Sequence, residues 1–406
     1  MTTFRGTRTA TSRWVGVAVS VAGFVLSAVY GAHALRTHGL QVDLAVYRMG
    51  AQAILHGRHL YDVHTFHPTL GFTYTEFAGI AAIPYTWVSI RTAETITVLV
   101  SLGSLCAIAF TSTRQLFVGH VANVSRQAWM ACSFALAGLA CWFEPVRKTI
   151  ELGQINLILV ALILFDLLIV RHQSRRGILV GIAAGIKLLP LLFIVYLAIT
   201  KQRRAALNAL ATFAGTVAIG FAVQPSQSWK YWTRYIRDPR RIGHVSYVGN
   251  QSLLGATARL LKTVEPPKLL TTLFSAIAVA IAMYLAHRLH HAGRELDAVC
   301  AVAFGTLLAS PISWNHHFVW VIPAVVVIVR EVVQRRSVVV AIFAIALCAE
   351  FIASPIWRVP FDRPHEFTAS FAQSFVANSY LLATIAFITL LASTLTSRDR
   401  SARYEQ

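Results

Sequence analysis

The sequence predicts an all-α, polytopic transmembrane helical bundle, and three observations carry that prediction. Hydrophobic residues make up 56% of the 406 positions and charged residues only 13%, where a soluble domain carries about a quarter. The apolar residues gather into about twelve runs, many near the length a helix needs to cross a bilayer. The net charge of +19 is concentrated in short basic runs between those segments, the pattern that retains loops in the cytoplasm. A bundle grows by adding helices to one body, so residues 1–406 read as a single domain.

The runs lie at 14–35, 76–90, 92–112, 126–144, 154–171, 178–200, 205–224, 268–288, 297–311, 316–332, 337–354 and 378–396. Arg5, Arg8 and Arg13 precede the first, a leader-like arrangement. About 20 apolar residues, however, exceed a leader's apolar core and match a span, so this run reads as an uncleaved first helix. The N-terminal arm, the 201–204 and 330–336 runs, the 287–296 loop and the C-terminal tail read as cytoplasmic. Parity then places connections outside at 36–75, 225–268, 310–317 and 355–377.

The middle breaks that regularity, because plain crossings between 76 and 200 carry Arg171, Arg175 and Arg176 outward against the rule. Two segments are candidates for re-entrant backbone. One is 76–90, which is short and holds Pro84; the other is 178–200, with Gly181, Gly185, Lys187 and Pro190. Irregular backbone at depth is tolerated where it lines a cavity. Which segment bends decides the side that Glu144–Asn156 faces.

The basic runs are scattered between spans, so they suit anionic headgroups and not nucleic acid. Cys106, Cys132, Cys141, Cys300 and Cys348 all fall in apolar stretches, behave as small core residues and imply no disulfide framework.

Several residues are placed to carry chemistry. Asp43, Val46, Tyr47, Gly50 and Ile54 recur at helical spacing, predicting a short interfacial helix with Asp43 near its start. An acid there complements the helix dipole or acts as a general base on an acceptor hydroxyl. In SPISWNHHFVW, Trp314, Asn315, His316 and His317 stand at the outer end of a helix. A lone interfacial His usually snorkels; two beside Asn and Trp suit binding a phosphate or orienting a carboxylate. Adjacent histidines diverge and no acid or Cys stands at ligand spacing, so no metal and no other cofactor is predicted.

Glu144, Arg147, Lys148, Glu151, Gln154 and Asn156 close an apolar run, where charges are commonly just solvated. Lys187, inside an apolar segment, is a functional candidate unless it snorkels. From Trp229 to Arg259 aromatics alternate with cations, as in an interfacial belt or a groove for a phosphorylated lipid. The chain has no Gly-rich nucleotide loop and no Asp-x-Asp pair.

In this order, the segments Asp43–Tyr47, GRHLY (Gly57–Tyr61), Phe72–Tyr74, EP…GQIN (Glu144–Asn156), GIKLLP (Gly185–Pro190), NQSLLG (Asn250–Gly255) and SPISW-HH resemble the polyprenol-phosphate-sugar-dependent glycosyltransferases of family 87, in the GT-C superfamily. The resemblance covers about residues 40–320. Actinobacterial alpha-1,2-mannosyltransferases acting on phosphatidylinositol mannosides belong to that family. The resemblance implies a GT-C bundle with outer-face loops and interfacial helices, multi-pass in the plasma membrane, with the site facing the extracytoplasmic side. It implies a polyprenyl-phosphate-mannose donor, a glycolipid acceptor and inversion at the anomeric carbon. Asp43 is then the base, His316 or His317 positions it or binds donor phosphate, and Lys187 and Arg259 join in holding that phosphate. Tyr47, Tyr61, Tyr74, Glu144, Gln154, Asn156, Asn250, Gln251 and Trp314 become substrate contacts.

One departure stands out, since Thr75 and Glu76 occupy the place where the family usually has two prolines. Two other readings remain open at this point: a polyprenyl-phosphate-arabinose donor, and a lipid or anion transporter. Against the transporter, the halves of the chain carry no convincing repeat.

Overall fold

The computed structural model describes residues 10–37, 41–65, 69–117, 125–361 and 364–404, and every regular element in them is helical. The arm carrying Arg5 and Arg8 lies outside the described residues. In chain order the helices are α1 (Ala10–Thr37), α2 (Val42–Leu55), α3 (Glu76–Ala81), α4 (Ile90–Phe117), α5 (Arg126–Ala140) and α6 (Glu144–Leu152). Next come α7 (Asn156–Leu168), α8 (Ile178–Ile186), α9 (Leu191–Ile199), α10 (Arg203–Val223), α11 (Pro225–Thr233) and α12 (Leu253–Leu260). The last are α13 (Lys268–His291), α14 (Glu295–Ala309), α15 (Val321–Arg335), α16 (Val338–Ala353), α17 (Phe371–Ala377) and α18 (Ser379–Tyr404).

Each of the sequence's apolar runs is helical, but fewer reach span length. Among the described residues α4, α10, α13 and the stretch Asn315–Arg335 are long and apolar enough to cross a membrane, four in all, or six if α5 with α6 and α17 with α18 each form one bent span. Large apolar side chains on the outside, such as Leu26, Leu269, Val339 and Ile345, are exposed, as expected of a surface that meets lipid.

The molecule has two chemically distinct ends. At one, Arg176 donates to Glu295 at 3.2 Å, Tyr196 donates to the same carboxylate at 2.8 Å and His287 meets the Ile199 carbonyl at 3.2 Å. This draws together the turn after α7, the end of α9 and the α13–α14 junction. Close by in sequence, Arg294 and Arg330 bracket Asp297 and Glu331, with Arg335 2.9 Å from Glu331. Buried charges are tolerated only when paired in this way.

At the other end Lys187 meets Asn156 and His317, each at 2.9 Å. Segment 178–200 therefore starts and finishes at the basic end, with its apex at Lys187–Pro190. Lys187 is extended (φ −142°, ψ 130°), and Pro190 has no N–H with which to continue a helix. The arm α8 lies against α10 so closely that a Cβ on Gly181 or Gly185 would run into Ala209 or Thr216.

Segment 76–90 is also broken, into α3 and a 3-10 turn at Ile83–Trp87. Arg48 of α2 holds it by donating to the carbonyls of Tyr85 and, at 2.6 Å, Val88. Both segments singled out as irregular are thus interrupted. Arg176 shares an end with the start of α10, because Asn208 donates to its carbonyl at 2.9 Å. Glu144–Asn156 lies with the 310–317 connection. Cys141 and Cys300 are buried as expected, whereas Cys132 is exposed on α5.

Candidate active site

Asp43 sits in the first turn of α2, yet no side chain caps that helix and the backbone N-cap is Gln41. The carboxylate is therefore not serving as a cap; it lies beside the Gln154 side chain, which favours its ionised form. Burial pushes its carboxyl up from 3.8 to about 6, against the pull of Gln154 and of the Lys187 charge. Gln154 reaches Asp43 because α6 ends on Gly153 in the left-handed region (φ +71°), where a Cβ would stand 2.7 Å from Leu44 Cβ.

Gln154 links the acid to two phenols. Tyr47 donates to its Oε1 at 3.0 Å and its Nε2 donates to the Tyr74 hydroxyl at 3.0 Å, with the two rings 4.9 Å apart. Lys187 lies over the Tyr74 ring, 5.8 Å from its centroid. It donates to Asn156 Oδ1 and His317 Nε2. Because Nε2 accepts, the network assigns the proton of neutral His317 to Nδ1. Asn156 in turn donates to the His316 carbonyl at 2.9 Å, and Thr149 donates to the same oxygen at 3.1 Å. Buried His316 Nε2 and His317 Nδ1 have no hydrogen-bond partner among the described residues.

Lys187, Tyr74, His317 and Trp314 line a cavity of about 370 Å³. Leu188, Leu191, Leu192, Ala309, Pro311 and Ile312 make much of its wall apolar, and Tyr231 of α11 with Tyr235 and Arg241 just after it close the cavity. Asp43 is not among the lining residues and is half-buried. Among the described residues no group of three or more His, Cys, Asp or Glu is placed to hold a metal ion.

Other residues expected to touch substrate are occupied elsewhere. Fully buried Asn250 donates to the carbonyls of Val245 and Pro311 and accepts from the Ser313 backbone. Gln251, equally buried, donates to Val248 and Ala377. Arg259, expected among the phosphate-binding cations, spends its guanidinium on the Tyr247 and Asn250 carbonyls, each at 2.9 Å, and on Asn378 at 2.6 Å. Burial lowers its pKa to about 9, partly offset by Glu366. These three hold together the loops before α12, after α14 and before α18. Glu144 is a clasp, accepting from Asn315, from Trp357 at 3.1 Å and from Tyr380 at 3.1 Å. Tyr61 stands behind the cavity wall, stacked on Tyr231. Sequence reasoning did not find Trp357 or Tyr380, which carry no motif and act only by reaching a carboxylate more than 200 positions away.

A family model, Glycosyltransferase family 87, matches residues 72–311. The chain belongs to glycosyltransferase family 87. Within or beside that match lie Tyr74, Gln154, Asn156, Lys187 and His317. Over 369 residues the chain is 32% identical to a polyprenol-phosphate-mannose-dependent alpha-(1-2)-phosphatidylinositol mannoside mannosyltransferase of Mycobacterium tuberculosis, covering 88% of this chain and 86% of that protein. It is 34% identical over 381 residues to the protein of the same name from Mycolicibacterium smegmatis, covering 89% and 86%. A polyprenol-phosphate-mannose-dependent alpha-(1-2)-phosphatidylinositol pentamannoside mannosyltransferase of Mycobacterium tuberculosis is 29% identical over 333 residues, 78% of this chain and 75% of that protein. No solved structure matches the chain.

Proposed function

We propose that this chain is an inverting mannosyltransferase that moves mannose from polyprenyl-phosphate-mannose to a hydroxyl of a phosphatidylinositol mannoside-like glycolipid, forming an alpha-1,2 linkage. One observation carries the reading: Asp43, a carboxylate of raised proton affinity, is joined through Gln154 and Tyr74 to Lys187, a cation opening on a largely apolar cavity. The relatives aligned over 88% and 89% of the chain supply the sugar and the acceptor class.

The chemistry needs little else. Asp43 takes the proton of the acceptor hydroxyl as its oxygen bonds to the anomeric carbon. The bond from that carbon to the phosphate oxygen breaks on the opposite face, and the lipid departs as a phosphate monoester. A carboxyl near 6 is a stronger base than an ordinary one and is still ionised at neutral pH. An ammonium has three N–H groups; Lys187 spends two on Asn156 and His317, so one remains for the departing phosphate. Positioning both substrates supplies much of the remaining rate.

In this reading the bundle has the GT-C arrangement. The apolar helices α1, α4, α5, α7, α10, α13, α14, α15, α16 and α18 cross the plasma membrane and 178–200 is re-entrant. The Arg-rich end stays in the cytoplasm and the site faces outward. The test is a transfer assay with the purified chain in nanodiscs, given labelled polyprenyl-phosphate-mannose or polyprenyl-phosphate-arabinose and a panel of glycolipids, with products read by mass and linkage. Mannose transfer to a phosphatidylinositol mannoside is the expected result. Transfer of arabinose alone, or lipid movement across the bilayer without transfer, would overturn the proposal.

A further inference from the structure

The stretch after α11 brings one arginine, Arg241, into the cavity wall beside Tyr231 and Tyr235. Its guanidinium lies 3.7 Å from the centroid of Tyr235 and 5.2 Å from that of Tyr61, and it donates once, to the Phe72 carbonyl at 3.2 Å. A guanidinium has five N–H groups, and no other acceptor among the described residues takes one from Arg241. Asp238 lines the same cavity, but its carboxylate is held by Arg240 at 2.9 Å.

Behind this cation stands Glu76, the first residue of α3. It is 1% exposed and accepts the Tyr61 hydroxyl at 2.8 Å; the same hydroxyl also bonds the Tyr74 carbonyl at 2.9 Å. The Tyr61 ring is fixed on its faces as well, stacked on Tyr231 with centroids 5.6 Å apart and edge-on to Tyr235 at 5.2 Å. A phenol that donates to a carboxylate has a more electron-rich ring, and a richer ring face holds a cation more firmly. Pinned at its hydroxyl and on its faces, Tyr61 cannot swing away from Arg241.

We propose that Arg241 is a second cationic contact for the lipid phosphate of the donor, and that Glu76 and Tyr61 are positioning residues that hold its guanidinium against the cavity wall. The inference rests on the function proposed above for this cavity. Arginine suits the task because its planar fork grips two phosphate oxygens at once, which lysine does not. The contact strengthens as the phosphate gains charge on leaving the sugar, so it favours the products of the chemical step.

Binding of farnesyl phosphate to the full chain in detergent, measured by calorimetry without turnover, tests the arrangement, with farnesol as the phosphate-free control. Arg241→Ala is expected to weaken farnesyl phosphate binding by about tenfold and Arg241→Lys by less, with farnesol unaffected. Glu76→Gln and Tyr61→Phe each weaken it by about threefold, and Glu76→Gln adds nothing in the Arg241→Ala background, because it acts only through that residue. Wild-type binding by Arg241→Ala, or an equal loss for farnesol, overturns the phosphate contact. Additive losses in the double variant overturn the positioning role. If the wild type itself binds no lipid phosphate, the function proposed above falls and this inference with it.

Discussion

Lys187 Nζ lies 2.9 Å from Nε2 of His317, a contact between residues 130 positions apart that joins the apex of a broken helix to the connection after α14. The geometry makes Lys187 the donor and leaves one ammonium N–H for the cavity. Lys187→Met is therefore expected to lower kcat by roughly a hundredfold, as loss of one charge-stabilising donor does elsewhere. Lys187→Arg recovers little, because a planar fork does not reproduce the bonds to Asn156 and His317. Steady-state kinetics on the purified variants decide this; near-wild-type turnover by Lys187→Met would remove the residue from the mechanism.

Asp43→Asn keeps shape and removes basicity, so transfer falls by roughly a hundredfold to ten-thousandfold. In the wild type, kcat/KM rises with pH through about 6, where Asp43 becomes ionised. A profile flat from pH 5 to 8 would exclude Asp43 as the base.

The same carboxyl makes a prediction about stability. Its folded value, about 6, lies above the unfolded 3.8. As pH rises between them the unfolded chain loses the proton first, so Asp43 costs stability progressively and the cost is complete above about 6. Asp43→Asn removes it, by about 1 to 3 kcal/mol once its partial exposure is allowed for. The gain in Tm over wild type should be larger at pH 8 than at pH 5, as thermal scans of the two proteins would show.

Glu144→Ala strips the acceptor from Asn315, Trp357 and Tyr380 together. Unpaired buried donors cost about 1 to 3 kcal/mol each, so a marked drop in Tm is expected, and activity falls because Asn315 precedes the two histidines. Stability unchanged in this variant would show that the clasp carries no weight.

Asp297→Ala leaves Arg294 and Arg330 with Glu331 as the one carboxylate between them, at the end remote from the site. Breaking such a buried pair costs about 3 to 5 kcal/mol. Below its unfolding temperature the variant should keep a near-normal KM for donor, which separates this cluster from the cavity.

Sequence alone determined the all-helical class, the place of the apolar helices, the irregularity of 76–90 and 178–200 and the position of Asp43 on a short helix. Those follow from local chemistry: apolar run length, residue spacing, and proline's missing N–H. Tertiary structure decided which polar residues share a site. Nothing in NQSLLG separates a substrate contact from a loop brace, and Arg259 reads no differently from Arg241 until one is ringed by carbonyls and the other faces a cavity. A side chain's work depends on which helix ends meet around it, and that pairing is set by packing across more than 100 residues, beyond the reach of any local pattern.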